Sequence, residues 1–356
     1  MSTPPAEPMP RALHPSHDSA FLRACRRESV PYTPIWLMRQ AGRYMAEYRA
    51  VRARLSMLEL CKTPDAVSEV TCFARRRIGA DAAILFADLL LVVEPLGLTL
   101  TFEAGEGPRI DPPVRGGAAV DRLHEVHPDA LGYVYDAIRA TRRDLEAEIP
   151  LIGFAGAPFT VASYLVEGQG SRTYLHTKRL MYGDEGAWHA LMAKIVRAQV
   201  GYLARQVEAG CQALQIFDSW VGALSPADYR RYVLPHTRAL FAALPPDVPV
   251  IHFGTATGAL LSDLRAAGGS VIGFDWRVEL DRAWAAVGHD TAVMGNLDPL
   301  TLMADPAVIA READRILAEA AGRPGHIFNL GHGILPETPV DHVVRLVEHV
   351  HERSMR

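Results

Sequence analysis

Cysteine is scarce. Cys25, Cys61, Cys72 and Cys211 are the only four thiols in 356 residues, they lie far apart, and no CxxC pair occurs. That excludes a disulfide framework and predicts free thiols in a reducing compartment. Lysine is scarcer still: Lys62, Lys178 and Lys194 are three of the 37 basic residues, which leaves 34 arginines. The skew reads as codon bias, yet any arginine turned inward offers a planar fork suited to carboxylates. Long apolar runs are missing, since none approaches the roughly 20 residues a membrane span requires. No sign of charge dominates, with a formal net charge of −4, so no basic field points to nucleic acid. Nucleotide and covalent-hydrolysis signatures are also lacking: no GxGxxG follows the first strand, and Walker, GxSxG, SxxK and HExxH motifs are absent.

What remains is 49% hydrophobic and 22% charged, enough apolar mass for one large core. Residues 1–17 carry prolines 4, 5, 8, 10 and 15 and no apolar segment. They read as a disordered tail rather than a secretory leader, and the protein is expected in the cytoplasm. Residues 18–356 read as a single domain. Short apolar runs at 35–38, 82–87, 150–154, 212–217, 249–253, 271–274, 292–295 and 326–329 predict eight strands buried on both faces. Amphipathic segments fill the gaps: a short helix over 18–28, one from an N-capping Thr63 with Pro64 to about residue 78, and a long one over 186–208. Others start at Ser225-Pro226, Thr257, Glu279, Asp305-Pro306 and Thr338-Pro339. Residues 89–149 read as an insertion. Eight strands each followed by helix predict a single (β/α)8 barrel, with an open doubly wound sheet as the competitor.

In such a barrel the reactive groups sit where strands end. Arg39 and Arg43 flank Gln40 and Gly42 directly after the first strand, with Arg49, Arg52 and Arg54 following. Two guanidiniums so close repel unless anions neutralise them. They are either a clamp for carboxylates or phosphates, or a solvated surface balanced by Glu47 and Glu59. Asp88 ends the second strand among Phe86, Leu89 and Leu90, where a carboxylate needs a partner or a shifted pKa. It either accepts hydrogen bonds from substrate N–H groups or serves as a structural partner of an arginine. Tyr164, Ser219 and His332 are individually weak signals. His332 is the better placed of them, because the glycines on both sides allow close approach.

The motifs PIWLMRQAGRYMAEYR (34–49) and GFAGAPFTVASYLVEGQGS (153–171) closely resemble two signatures of the uroporphyrinogen decarboxylase family. ILFADLL, QIFDSW, MGNLDP and FNLGHGI follow in matching order, so the similarity runs from about residue 20 to 350. The resemblance implies a single (β/α)8 barrel, often a homodimer, that decarboxylates the four acetate arms of uroporphyrinogen III with neither metal nor organic cofactor. It implies that Arg39, Gln40 and Arg43 meet substrate carboxylates and that Asp88 lies under the macrocycle and accepts pyrrole N–H bonds. Tyr164, Ser219 and His332 are implied to contact substrate side chains, and Phe154 and Phe217 to form apolar walls. Asp88, Arg39 and Tyr164 become the catalytic candidates. The segment 252–258 lies in a region that varies in the family and carries no assigned role. The rival in the same superfamily, a cobamide-dependent methyltransferase, needs a His-x-Cys zinc pair, and here that position reads His252-Phe253-Gly254.

Overall fold

In a computed structural model that describes residues 14–103 and 107–356, seven of the eight apolar runs form strands of one parallel sheet. They are β1 (Ala83–Ile84), β4 (Leu151–Gly156), β5 (Ala213–Asp218), β6 (Val250–Gly254), β7 (Val271–Gly273), β8 (Ala292–Met294) and β9 (His326–Ile327). The sheet order is β1-β4-β5-β6-β7-β8-β9, and every neighbouring pair is parallel. Each step therefore crosses over through helix, and the sheet is covered on its outer face by helices such as Pro64–Ile78, Glu185–Ala209 and Val340–Ser354. This explains the continuous apolar runs. All six residues of β4 and all five of β6 are buried, and each large aliphatic side chain so buried contributes about 1.5–3 kcal/mol.

The first run departs from expectation. Of 35–38, only Ile35 pairs, in a single parallel bridge to Phe328. The chain turns straight after it, with Gln40 N–H donating to the Leu37 carbonyl at 2.9 Å. On one side of this segment the Phe328 N–H reaches the Pro34 carbonyl (2.8 Å), and on the other the Asp81 N–H, just before β1, reaches the Ile35 carbonyl (2.8 Å). The Asp81 carboxylate fastens the seam: it accepts from the Ile35 N–H (2.7 Å) and the Tyr32 hydroxyl (3.0 Å) and lies 2.8 Å from His351 Nε2. Asp81→Ala leaves a buried N–H without a partner, so urea melts are expected to show a loss of about 2–4 kcal/mol. A loss below about 0.5 kcal/mol would mean that the seam does not depend on this carboxylate.

Other boundaries shift for local reasons. The insertion contains an antiparallel hairpin, β2 (Thr99–Glu103) with β3 (Gly107–Asp111), and the helix Gly132–Asp144. Thr63 does not cap Pro64–Ile78 with its side chain, because its hydroxyl donates backwards to the Glu59 carbonyl at 2.7 Å. The helix expected from Thr257 is Leu261–Ala267 instead. Residues 257–260 first close a turn, Leu260 N–H to Thr257 carbonyl at 2.8 Å. Ser225 and Asp305 do cap as expected, accepting from the N–H groups of Asp228 and Ala307. Most of the proline-rich tail, residues 1–13, lies outside the described residues. Its last part is not irregular: Pro15–Asp18 forms a 3-10 turn with Ser16 buried. All four cysteines are free and buried. No helix among the described residues is long and apolar enough to cross a membrane.

Candidate active site

Because the sheet strands run parallel, all their carboxyl ends open on one side, and the candidate residues gather there. Arg39 follows the Ile35 bridge, Asp88 follows β1, Phe154 lies on β4 and Tyr164 on the helix Pro158–Glu167 behind it. Phe217 and Ser219 end β5, and His332 follows β9.

Arg39 is held from several directions. The flanking Met38 N–H donates to Asn329 Oδ1 (3.1 Å), and the Met38 carbonyl accepts from the Ile334 N–H (2.9 Å). Its own backbone is left-handed (φ 62°), a conformation that costs a non-glycine residue about 1–2 kcal/mol and so needs such support. Its aliphatic stem crosses Gly333, where a Cβ would come within 2.6 Å of Arg39 Cγ. That is the close approach for which the glycines around His332 are needed. Arg39 is exposed to the cleft, and neither it nor the exposed Arg43 makes an ion pair among the described residues. Glu59 is occupied elsewhere, accepting from the Ser56 N–H at 2.7 Å. Two uncompensated guanidiniums on one loop are what a clamp for anions requires.

Asp88 is partly buried, and its Oδ1 accepts from the Leu90 N–H at 2.8 Å. Burial pushes its carboxyl up to about 6, against the downward pull of the Leu90 N–H and of the Arg39 guanidinium. Burial also drives the Tyr164 phenol upward, helped by the Asp88 charge and opposed by Arg39. His332 is pushed down to about 4, first by burial and then by Arg39 and Arg277, so it is neutral at pH 7. Arg39 thus acts on Asp88, Tyr164 and His332 alike, which places the four in one electrostatic environment.

The walls are aromatic. Phe154 and Phe217 meet edge to face with centroids 5.5 Å apart, and Tyr164 stacks on Trp220 at 3.8 Å. A buried chain sets that stack: the Trp220 N–H donates to Thr160 Oγ1 (3.3 Å), and the Thr160 hydroxyl donates to Asp218 Oδ1 (3.0 Å). Ser219 is half-buried beside it, and its carbonyl accepts from the Thr255 hydroxyl.

Gln40 stands apart from this group. It is buried, its Oε1 accepts from the Leu37 N–H and its Nε2 donates to the Ala82 carbonyl, both at 3.2 Å. It ties the Arg39 loop to the residues before β1 instead of lining the cleft. The end of β7 carries two residues to which the sequence pattern gave no role. Asp275, buried, accepts from the Ala256 N–H (2.6 Å) and pairs with Arg277. The available signal was a charged pair directly after an apolar run, the same signal that drew attention to Arg39.

The cleft therefore combines an uncompensated cation, one carboxylate held near its titration point, a neutral imidazole and aromatic walls. Such a group of charged and aromatic residues at the carboxyl ends of a parallel α/β sheet defines an enzyme of the α/β class with an anion-binding site. The chain belongs to the uroporphyrinogen decarboxylase family: residues 16–353 match the family model described as Uroporphyrinogen decarboxylase (URO-D). A relative from Sorangium cellulosum named uroporphyrinogen decarboxylase is 58% identical over 94% of this chain and 96% of its own length. One of the same name from Carboxydothermus hydrogenoformans is 54% identical over 95% and 97%. Among solved structures, a methyltransferase from Methanosarcina mazei superposes with a TM-score of 0.76 over 96% of this chain and 99% of that one. At 19% identity that likeness shows the fold alone. Burial pushes Cys25, Cys61, Cys72 and Cys211 all above the ordinary thiol range.

Proposed function

We infer that this protein decarboxylates uroporphyrinogen III, removing its four acetate carboxyl groups to give coproporphyrinogen III on the path to haem. The observation that carries the reading is the shared environment of Arg39, Asp88, Tyr164 and His332 in one aromatic cleft. The names of relatives at 50–58% identity over nearly the whole chain support the same reaction.

The chemistry requires an electron sink. Protonation of a pyrrole at its α-carbon makes the ring a cation. The bond between the acetate methylene and its carboxyl then breaks, and its electron pair flows into the ring as CO2 departs. Protonation of the methylene carbon and loss of the ring proton leave a methyl group. Neither metal nor organic cofactor is needed for these steps. The role assigned to Asp88 is to accept pyrrole N–H bonds and, ionised, to stabilise the ring cation; fixed charge in a dry cleft is the usual main source of such catalysis. Arg39 and Arg43 are assigned to the substrate carboxylates, with Arg39 orienting the arm that reacts. Tyr164, Ser219 and His332 are assigned contacts to substrate side chains, and Phe154 and Phe217 the apolar walls. Gln40 is assigned to positioning Arg39.

The same reading extends to architecture. Residues 35–38 act as the missing strand and close the sheet into a (β/α)8 barrel over residues 18–356. The bridge from Ile35 to Phe328 and the hydrogen bonds to Pro34 and from Asp81 support closure. A cytoplasmic homodimer, with residues 1–17 as a proline-rich tail ahead of the barrel, completes the proposal. Anaerobic incubation with uroporphyrinogen III, followed by chromatography, is expected to yield hepta- through tetracarboxylate porphyrinogens in sequence. Unchanged octacarboxylate after incubation with folded protein would refute the assignment.

A further inference from the structure

The tripeptide Gly331-His332-Gly333 is flanked on both sides. The Arg39 stem crosses Gly333, while a Cβ on Gly331 would lie 2.5 Å from the Trp276 nitrogen and 2.9 Å from its ring. Trp276 is followed by Arg277, whose guanidinium lies over the Trp276 ring with Cζ 4.1 Å from the centroid. Its Nη1 is paired with the carboxylate of Asp275, which is only 1% exposed, while the Arg277 side chain is 50% exposed. Asp275 is itself fixed by the N–H groups of Ala256 (2.6 Å) and Arg277 (3.1 Å), and its carbonyl accepts from Asn296 Nδ2 at 2.9 Å. One edge of the Arg277 fork is thus anchored. Nε and Nη2 have no protein partner among the described residues. A stacked, half-paired guanidinium has already lost much of its rotamer freedom, so it binds an anion at a smaller entropic cost than a free side chain. The Arg277 charge, like that of Arg39, also reaches His332.

We propose that Arg277 is a carboxylate-binding residue of this cleft, holding one peripheral carboxylate of the tetrapyrrole from the loop after β7. The proposal rests on the decarboxylase reading above. A substrate with eight carboxylates around its rim presents charge in every direction, and Arg39 and Arg43 come from a single loop. A cation from the loop after β7 adds a contact from a second element.

The test is steady-state kinetics of Arg277→Ala and Arg277→Gln with uroporphyrinogen III and with the pentacarboxylate intermediate, beside thermal melts. KM is expected to rise roughly 10- to 100-fold, the loss of one charged hydrogen-bonding contact, with kcat within about threefold. Both variants are expected to melt lower, because the buried Asp275 carboxylate loses its partner. An equal rise on both substrates identifies a propionate as the ligand. A rise confined to the octacarboxylate identifies an acetate. An unchanged KM in a folded variant would overturn the proposal, as would a fall in kcat as large as the rise in KM, the mark of a disturbed loop and not of one lost contact. If Arg277→Ala does not fold, Arg277→Gln decides alone. Wild-type protein inactive on uroporphyrinogen would refute the parent reading only. Quenching of tryptophan fluorescence by a tetracarboxylate porphyrin, retained by wild type and lost in Arg277→Gln, would then still decide the carboxylate site.

Discussion

Asp88→Asn is expected to lower the rate of the first decarboxylation by roughly 10³-fold while making the protein more stable at neutral pH. The asparagine keeps an oxygen to accept the Leu90 N–H, so the loop survives, but it cannot counter the positive charge that develops on the pyrrole. The stability gain follows from the raised carboxyl. Folding lifts the Asp88 pKa from about 3.8 to about 6, so the folded state disfavours the ionised form. That cost is absent below pH 3.8 and fully present above about pH 6. A pKa that folding moves by one costs about 1.4 kcal/mol, so the variant is expected to gain about 1–3 kcal/mol at pH 7–8. The difference between the two proteins should close as pH falls from 6 towards 4. Chemical denaturation at pH 7.5 and pH 4.5 checks this. Equal stability at both values would mean that Asp88 is not held in its ionised form against a folding cost.

Arg39 carries the second large effect, and it has two parts. Removing the guanidinium takes away one charged contact to the substrate, and KM is expected to rise roughly 10- to 100-fold. Arg39→Gly is the cleaner truncation, because glycine accepts the left-handed backbone at φ 62° and alanine does not. The second part is electrostatic. Arg39 pulls the Asp88 carboxyl down and pushes the His332 imidazole down, so its loss lets both rise. The acid limb of the pH–rate profile should therefore move to higher pH in Arg39→Gly. Arg39→Lys should keep the limb in place, since the charge remains, while losing about tenfold in kcat/KM for want of the fork. Full turnover by Arg39→Lys would dismiss any special role for the planar group.

Most of the sheet was legible, because parallel strands buried on both faces leave short, continuous apolar runs, and seven of those runs are strands. The first run is the least regular, because only Ile35 joins the ladder and the turn closed by Gln40 takes the residues after it. The hairpin in the insertion carried the right signal, alternation in Thr99-Leu100-Thr101-Phe102-Glu103, but it lies in a stretch whose Gly and Pro content reads as loop. The late helix start near residue 257 depends on Ala256 at φ 55° and the turn after it, a conformation no propensity predicts. At the site, the two arginines announced themselves by their mutual repulsion on one loop, and the carboxylate by its apolar neighbours at a strand end. Gln40 did not, because a glutamine that binds backbone and one that binds ligand look alike in sequence. Arg277 escaped because its anchoring by Asp275 and Trp276 shows only in the fold, and the approach of Trp276 to Gly331 joins residues far apart in the chain.

The central claim is that the ionised Asp88 drives the reaction, and kcat/KM for the first decarboxylation between pH 5 and 8 tests it most directly, since that ratio reports groups of the free enzyme. The account predicts a plateau above about pH 6 and a tenfold fall per pH unit below it, with the limb absent from the residual rate of Asp88→Asn. A wild-type profile that stays flat down to pH 5, or an Asp88→Asn profile with the same acid limb, would contradict it.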